Sequence, residues 1–276
     1  MFPNDSIRKI GWVQHGDSFS DKIRIASFLL LRFLSGMARN KVLTIETLIS
    51  ELSLAAINRM RTSFDGIRYD LVDYASLVIV TPEWESSIWD YLKPKPGDTF
   101  LDVGAHVGKY SLKVAEMVHD HGMVIAIEPM PRNYRALVSG ITSNGFRNVV
   151  ALNIAAWSRN CMLSLFFGNS SGQHSVKGTF GSGHVEVEAK KMDDIIERLN
   201  IDSVDWVKID VEGAEFEVLS GLEDTIRNHK PKIIIEVRKE NLPKVSSFMG
   251  RNNYSMIGIP KLSKASYEYY YCQRSL

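Results

Sequence analysis

Cysteine is scarce in this chain of 276 residues, with Cys161 and Cys272 as its two occurrences. Two cysteines cannot build a disulfide framework, and these two lack the paired spacing of a zinc site. The scarcity argues against the disulfide-rich secreted class of proteins and favours a reducing compartment. We therefore expect a cytoplasmic protein.

The chain also lacks an excess of charge of one sign, because 33 lysines and arginines face 32 aspartates and glutamates. A formal net charge of +1 provides no broad electrostatic surface for nucleic acid, although a local basic patch stays open. The composition, 45% hydrophobic and 24% charged, is that of an ordinary globular protein.

Long hydrophobic runs are missing as well. The most apolar segment, 25–34, is shorter than the roughly 20 residues that span a bilayer, and Arg32 interrupts it. The polar first residues give no sign of a secretory signal. The basic flanks leave contact of residues 22–41 with a membrane surface open, whereas packing on the protein or in a homo-oligomer is the simpler interpretation.

The most informative stretch is 99–112, in which a short apolar run ends in Asp102 and an apolar-periodic helix begins near Tyr110. Gly104 and Gly108 lie between the two elements. A glycine-bearing turn at the carboxyl end of a buried strand lets a ligand approach the backbone and the first N–H groups of the next helix. The pattern predicts a nucleotide-type ligand here.

This turn lacks the fingerprints of phosphate-binding loops. The segment Gly104-Ala-His-Val-Gly108 is followed by Lys109 and Tyr110, which fits neither G-x-G-x-x-G nor G-x-x-x-x-G-K-[ST]. A second apolar strand ends at Glu128, where an acid can accept hydrogen bonds from ribose hydroxyls. Two acids and a small-residue turn suit S-adenosylmethionine, which carries a ribose, an ammonium and a sulfonium but no phosphate.

Six motifs follow one another in an order similar to that of FkbM-type S-adenosylmethionine-dependent methyltransferases. They are Asp102-Val-Gly-Ala-His-Val-Gly-Lys-Tyr-Ser111, Ile127-Glu-Pro129, Asn153-Ile-Ala-Ala156, Gly168-Asn-Ser-Ser171, Lys208-Ile-Asp-Val-Glu-Gly-Ala-Glu215 and Ile234-Ile-Glu236. The match extends from about Phe64 to the C-terminus. His106 departs from the family, which usually has asparagine at this position of the first turn.

The resemblance implies an α/β protein with the Rossmann-like class I methyltransferase fold, a mostly parallel seven-stranded sheet whose last strand is antiparallel. We expect residues 64–276 to form this FkbM-like methyltransferase domain. Helical patterns over 25–34 and 43–60 predict an N-terminal helical extension comprising residues 1–63. Within the domain, Asp65-Gly66 predicts a hairpin turn, and further helices are expected over 83–92, 131–144, 192–199 and 216–227.

Asp102, Glu128, Asp210 and Glu236 each end an apolar strand, so a parallel sheet brings them to one rim. Asn153 and Ala155 end the third strand, near the adenine of such folds, although Asn153 also suits a plain strand-end turn. The expected cofactor-binding residues are Asp102, Gly104, Ala105, His106, Gly108, Tyr110, Ser111, Glu128, Pro129, Asn153, Ala155 and Asp210.

A hydroxyl acceptor is a weak nucleophile at neutral pH and benefits from a nearby proton acceptor. Asp210 is the first candidate for this catalytic base, Glu212 the second and His174 the third; alternatively, Asp210 and Glu212 hold the turn and the cofactor's amino group. The Gly/Ser/His-rich loop 168–184 is expected to be either an acceptor-site lid with Ser170 or His174 as contacts or a mobile hairpin tip. We expect no metal, so chelation should leave activity intact.

FkbM-like enzymes are associated with O-methylation, so the resemblance implies methyl transfer to a hydroxyl of a small molecule or glycan. The alternatives are methylation of a macromolecule, RNA or protein, and a non-catalytic S-adenosylmethionine-binding scaffold. A nicotinamide-dependent oxidoreductase is disfavoured because the third glycine of its fingerprint is missing.

Overall fold

The computed structural model describes residues 11–38, 60–168, 170–177, 183–260, 262 and 266–275. The predicted helix over 43–60 lies outside the described residues except for Met60, and so does part of the loop 168–184. In chain order the strands are β1 (Arg61–Phe64), β2 (Ile67–Asp70), β3 (Thr99–Val103), β4 (Met123–Ile127), β5 (Val149–Leu152), β6 (Ala155–Trp157), β7 (Cys161–Phe166), β8 (His184–Lys191), β9 (Trp206–Ile209), β10 (Lys232–Arg238), β11 (Tyr254–Gly258) and β12 (Tyr267–Arg274).

The α-helices of the same ranges are α1 (Phe19–Ala38), α2 (Tyr74–Ile79), α3 (Lys109–Val118), α4 (Pro131–Asn144), α5 (Met192–Arg198), α6 (Glu215–Ser220), α7 (Glu223–His229) and α8 (Leu242–Arg251). Short 3-10 helices cover Trp12–His15 and Ser86–Asp90. None of the helices in these ranges combines the length and the apolar character needed to cross a bilayer.

A seven-stranded sheet organises the described chain, with the order β11-β12-β10-β9-β3-β4-β5. The strands from β10 to β5 pair in parallel, and β12 runs antiparallel between β10 and β11. This confirms the expected methyltransferase topology. Because five parallel strands end at one edge, the acids that follow them meet there.

The central strands are buried on both faces, as their continuous apolar runs predict. Alternate residues of β3 pack on opposite layers. Leu101 and Val103 belong to the cluster beneath α6, α7 and α8, whereas Phe100 packs with residues of α3. Asp102 follows the alternation of Phe100 and therefore faces α3.

A second, three-stranded sheet stands beside the rim, with β8 parallel to β6 and antiparallel to β7. The chain leaves β7, and Ser175 pairs back to Phe166 through an isolated bridge. The Ser175 hydroxyl also donates to the carbonyl oxygen of Glu212, which holds the segment 170–177 against the carboxyl ends of the large sheet.

The N-terminal helix α1 contains the apolar segment 25–34, and it packs on the hairpin of β1 and β2. Ile25 and Phe28 share a buried cluster with Phe64 and Leu77. The hairpin turns at Asp65-Gly66, which confirms that prediction. The domain boundary after residue 63 stays a prediction.

One helix was not predicted, and two helical predictions are corrected in detail. The segment 74–79 is the helix α2 because the Asp73 carboxylate and the Ser76 side chain form a capping box. The predicted helix over 83–92 is reduced to a 3-10 helix after Glu85, whose φ of 52° is left-handed. The predicted helix over 216–227 is divided into α6 and α7 at Gly221, where a Cβ would lie 2.0 Å from the Trp157 carbonyl oxygen.

Candidate functional site

A cavity opens at the carboxyl ends of β3, β4, β9 and β10, and the segment 170–177 covers one side of it. Its lining includes ten of the residues expected to bind the cofactor or to catalyse. These are Gly104, Ala105, His106, Tyr110, Glu128, Pro129, Ala155, His174, Asp210 and Glu212. We call it the first cavity.

Gly104 brings two turns of this cavity into contact. Its φ of +86° is left-handed, and a Cβ there would lie 1.8 Å from the carbonyl oxygen of Asp210. A side chain of any kind would therefore separate the turn after β3 from the turn after β9. Gly108 is also left-handed and precedes α3, with Leu137 closing on it from α4.

Glu128 lies at the tip of β4 and is buried. One carboxylate oxygen accepts the His106 backbone N–H at 2.8 Å, and the other accepts those of Met130 at 2.9 Å and the Asn133 amide at 3.3 Å. Burial nevertheless raises its pKa to about 7, against the effect of these hydrogen bonds. Glu128 therefore titrates near neutral pH.

Asp102 and Ser111 lie beneath the first cavity and do not line it. The Ser111 hydroxyl donates to Asp102 Oδ2 at 2.5 Å, which ties β3 to α3 under the turn. Burial raises the Asp102 pKa, whereas Lys208 and the Ser111 hydrogen bond act in the opposite direction. The geometry gives this pair a supporting position below the turn.

Asn153 also lies outside the cavity lining. Its amide donates to the carbonyl oxygens of Glu128 at 2.8 Å and Pro129 at 2.9 Å. These bonds match the alternative interpretation of Asn153 as a strand-end turn residue. These hydrogen bonds fix the backbone next to Glu128. Ala155, two residues further on, lines the cavity.

Lys208 is a buried ammonium in the middle of β9, 2% exposed. It lies 3.2 Å from Asp210 Oδ2 and 4.6 Å from the centre of the Tyr110 ring. Burial opposes its charge, but Asp210, Asp102 and Glu85 together raise the Lys208 pKa. Lys208 thus stays protonated and compensates the carboxylates around it.

Three carboxylates meet on the far side of the cavity. Oxygen atoms of Asp210, Glu212 and Glu236 lie within 4.8 Å of one another. Lys208 is paired with Asp210, and Arg238 lies 3.6 Å from Glu212. Because Lys208 and Arg238 already balance charge in this cluster, the three acids alone do not indicate a metal site.

His174 lines the cavity from the segment after β7. Its Nδ1 accepts the backbone N–H of Gly168 at 3.1 Å, so the proton of the neutral ring is on Nε2. Burial lowers the His174 pKa. The ring therefore presents a donor rather than a base at Nε2. The neighbouring Ser170, also expected as a contact, does not line the cavity.

Ser171 joins three separate parts of the chain over the cavity. Its backbone N–H and its hydroxyl both donate to the Asp73 carboxylate at 2.7 Å. Its carbonyl oxygen accepts from Asn133 at 3.0 Å, and its Oγ lies 2.7 Å from His106 Nε2. Since the Ser171 proton goes to Asp73, His106 must donate from Nε2.

His106, the departure from the family pattern, has a left-handed φ of 55° in the first turn. Burial lowers its pKa to about 4, although Asp73 acts in the opposite direction. The imidazole is therefore neutral at physiological pH, and its place in the chain is a structural link between the turn and Ser171.

Sequence reasoning missed Glu85, Lys109, Lys208 and Tyr269, which also line the cavity. The hydroxyls of Tyr110 and Tyr269 donate to Glu85 at 2.9 and 2.6 Å. The buried Lys109 ammonium donates to the carbonyl oxygens of Thr81 and Trp84. Lys208 could have been predicted, because a lysine inside the apolar run Trp206-Val-Lys-Ile is unusual. The sequence around Glu85 has no pattern that indicates a site.

Residues 102–256, more than half of the chain, match the model of the methyltransferase FkbM domain family. Methyltransferase 1 of Beauveria bassiana (strain ARSEF 2860) is 25% identical over 166 residues, which cover 52% of this chain and 66% of that protein. Methyltransferase sdnD of Sordaria araneosa is 27% identical over 162 residues, 47% of this chain and 62% of its own. The chain thus spans just under two thirds of these relatives.

Among solved structures, methyltransferase FkbM from Methylobacillus flagellatus KT superimposes with a TM-score of 0.53. The alignment covers 97% of this chain and 59% of that one, at 14% identity, and so establishes the shared fold. The family match includes the turn after β3, Glu128 and the acids after β9, which together line the first cavity. The chain belongs to the family of FkbM-type methyltransferases.

Proposed function

We propose that the protein is an S-adenosylmethionine-dependent methyltransferase that methylates a hydroxyl oxygen of a small molecule or glycan. The charge of the first cavity carries this proposal. Five carboxylates line it, from Glu85, Glu128, Asp210, Glu212 and Glu236, against the two ammonium groups of Lys109 and Lys208. An excess of acids disfavours a phosphate-bearing ligand and suits a cofactor with a sulfonium and an ammonium.

The residues present fit this cofactor. Gly104 keeps the backbone bare where the two turns meet, and Glu128 offers carboxylate oxygens to ribose hydroxyls. Apolar side chains such as Leu165 and Ile79 complete the wall and suit an adenine ring. When bound, the cofactor supplies a methyl group activated by its positively charged sulfur.

We assign the role of proton acceptor to Glu212 rather than Asp210. Both carboxylates are paired: Asp210 lies 3.2 Å from the buried Lys208 ammonium, and Glu212 lies 3.6 Å from the more exposed Arg238 guanidinium and accepts from the Tyr267 hydroxyl. The closer and more deeply buried cation lowers the basicity of Asp210 more. The bound cofactor would supply its methyl group to the acceptor oxygen, and its sulfur would keep the electron pair of the carbon–sulfur bond. The hydroxyl proton passes to the Glu212 carboxylate.

Calorimetric titration with S-adenosylhomocysteine tests the cofactor assignment. We expect Glu128→Gln to weaken binding about tenfold, equivalent to about 1.4 kcal/mol. Glu116→Gln is the matched control, because Glu116 is an exposed acid on α3 that pairs with Lys113 and does not line the first cavity. A folded wild-type protein that binds neither S-adenosylmethionine nor its product would contradict the proposal.

Transfer of a labelled methyl group separates an enzyme from a scaffold. Wild-type protein that binds the cofactor should label an acceptor hydroxyl, and Glu212→Gln should lower the rate while leaving S-adenosylhomocysteine affinity within a few fold. Cofactor binding without any transfer to small molecules or glycans would favour the scaffold alternative, and transfer to RNA or protein would favour the macromolecular one.

A further inference from the structure

A second cavity of about 600 Å³ adjoins the first one at the same rim of the sheet. Its walls come from the end of β10, the beginning of β12 and the segment after β7. Glu212 lines both cavities and stands between them. A molecule in the second cavity therefore meets the same carboxylate that faces the cofactor side.

The topology explains why this cavity lies at the rim. Because β12 is antiparallel to β10, its first residue, Tyr267, pairs with the last residue of β10, Arg238. Both lie at the edge where the parallel strands end. Gln173 closes the cavity from the segment that also carries Ser171 and His174.

Most side chains of the wall carry a charge, an amide or a hydroxyl, beside the ring of Tyr267 and the backbone of Gly168. Among the described residues that line the second cavity, none has an aliphatic side chain, whereas the first cavity includes Leu165 and Ile79. The side chains of Gln173 and Ser266 are each able to donate and to accept hydrogen bonds. An apolar ligand would deprive these groups of water without replacing their hydrogen bonds.

The charges of this wall balance. Arg238 and Lys239 supply two cations, and Glu212 and Glu240 supply two carboxylates. An anionic ligand would face the two acids, and a cationic ligand would face the two bases. A neutral molecule with many hydroxyls satisfies both sets, since each hydroxyl donates to a carboxylate and accepts from a cation.

The wall next to Glu212 is already ordered. The guanidinium of Arg238 lies 5.3 Å from the centre of the Tyr267 ring and 3.6 Å from Glu212. The Tyr267 hydroxyl donates to the Glu212 carboxylate, and burial together with this bond raises the Tyr267 pKa. A preorganised wall costs less entropy when a ligand binds.

We propose that the second cavity is the acceptor site and that its ligand is an uncharged sugar. The assignment rests on the proposed methyl transfer and narrows its acceptor from a small molecule or glycan to an uncharged polyhydroxylated ring. One sugar hydroxyl lies at Glu212, and Gln173, Lys239 and Ser266 bind the others. These three are specificity-determining residues, since they line the second cavity and not the first.

Saturation-transfer difference NMR on the full chain with saturating S-adenosylhomocysteine tests this site. The probes are methyl α-D-glucopyranoside, the anionic methyl α-D-glucuronoside and cyclohexylmethanol, which has a similar ring but a single hydroxyl. We expect signals from the glucoside, weaker ones from the glucuronoside and none from cyclohexylmethanol. Gln173→Ala and Lys239→Ala should each reduce glucoside affinity about fivefold, the effect of one lost hydrogen bond.

Gln273→Ala is the matched control, because Gln273 lies on the exposed end of β12 and bonds Tyr271. It should leave glucoside affinity unchanged, and all variants should keep wild-type affinity for S-adenosylhomocysteine. Absence of glucoside signals from wild-type protein that binds S-adenosylhomocysteine would overturn the acceptor site and leave the proposed function standing. Preference for cyclohexylmethanol or the glucuronoside, or no effect of Gln173→Ala and Lys239→Ala, would also overturn it. Loss of S-adenosylhomocysteine binding in the wild type would overturn both proposals.

Discussion

At Gly104 the turn after β3 lies against the backbone of the turn after β9. We expect Gly104→Ala to lower the free energy of unfolding by about 2–5 kcal/mol, since it adds overpacking against Asp210 to left-handed strain. Gly145→Ala measures the left-handed strain alone, because Gly145 has a φ of +72° and open space around it. It should lower the free energy of unfolding by about 1–2 kcal/mol. Urea unfolding measures both. Equal losses in the two variants would show that the contact with Asp210 adds nothing.

We expect Glu128 to make the affinity for S-adenosylhomocysteine depend on pH. Its pKa in the free protein is about 7, and ribose hydroxyls that donate to the carboxylate favour the ionised form. Binding therefore releases a proton below this pKa, so affinity is greatest above pH 7 and falls about fivefold from about pH 8 to about pH 6. Titration of S-adenosylhomocysteine across this range measures the slope. The amide of Glu128→Gln cannot titrate in this range. If the affinity of this variant still depended on pH to the same degree, another group would be responsible for the dependence.

At the scale of elements, Ser171 fastens the segment 170–177 to Asp73 and to the turn after β3, beside the contacts that Ser175 and Lys177 make elsewhere. Removing its hydroxyl in Ser171→Ala deletes the bonds to Asp73 and His106 while leaving the backbone bonds in place. We expect faster amide hydrogen exchange in this segment and S-adenosylhomocysteine affinity about fivefold weaker, with little change in global stability. Ser170→Ala, one position away and outside the cavity lining, is the matched control. Identical exchange in the two variants would contradict a fastening role.

The strands of the large sheet could be predicted because their signal is local. Phe100, Val124 and Ile234 belong to continuous apolar runs that end in acids, and such runs become buried parallel strands wherever they occur. For the same reason the rim carrying Glu128 and Asp210 could be predicted, and both line the first cavity.

Elements governed by distant contacts could not be predicted in this way. Lys109 takes the carbonyl oxygens of Thr81 and Trp84, so the expected helix over 83–92 begins late and shortens. Asp102 carries the same strand-end signal as Glu128, yet it packs under α3, because a strand's alternation decides which acids reach the cavity. Glu85 comes from a segment without any pattern, and only the folded chain brings it to the site.

At the scale of the whole molecule, the last strand is tied to the segment before β3 by the Tyr269 hydroxyl and Glu85. Tyr269→Phe leaves a carboxylate oxygen without this donor, and we expect a loss of about 1–3 kcal/mol in unfolding free energy. Tyr271→Phe is the control, since its exposed hydroxyl bonds Gln273, and it should change stability by less than about 0.5 kcal/mol. Guanidinium unfolding compares the two. Matching midpoints would mean that the Tyr269 bond has no net effect.

The hydrogen bonds to the Glu85 carboxylate affect the order in which the first cavity forms during folding. Glu85 accepts hydrogen bonds from the hydroxyls of Tyr110 and Tyr269, which lie 25 and 184 residues after it in the sequence. Contacts between such distant residues form late, because the entropy of closing a long loop is lost before the contact is gained. This wall of the first cavity is therefore completed only after β12 has entered the sheet. A nascent chain that ends before β12 lacks this wall, so we expect S-adenosylhomocysteine to bind tightly only after β12 has been synthesised.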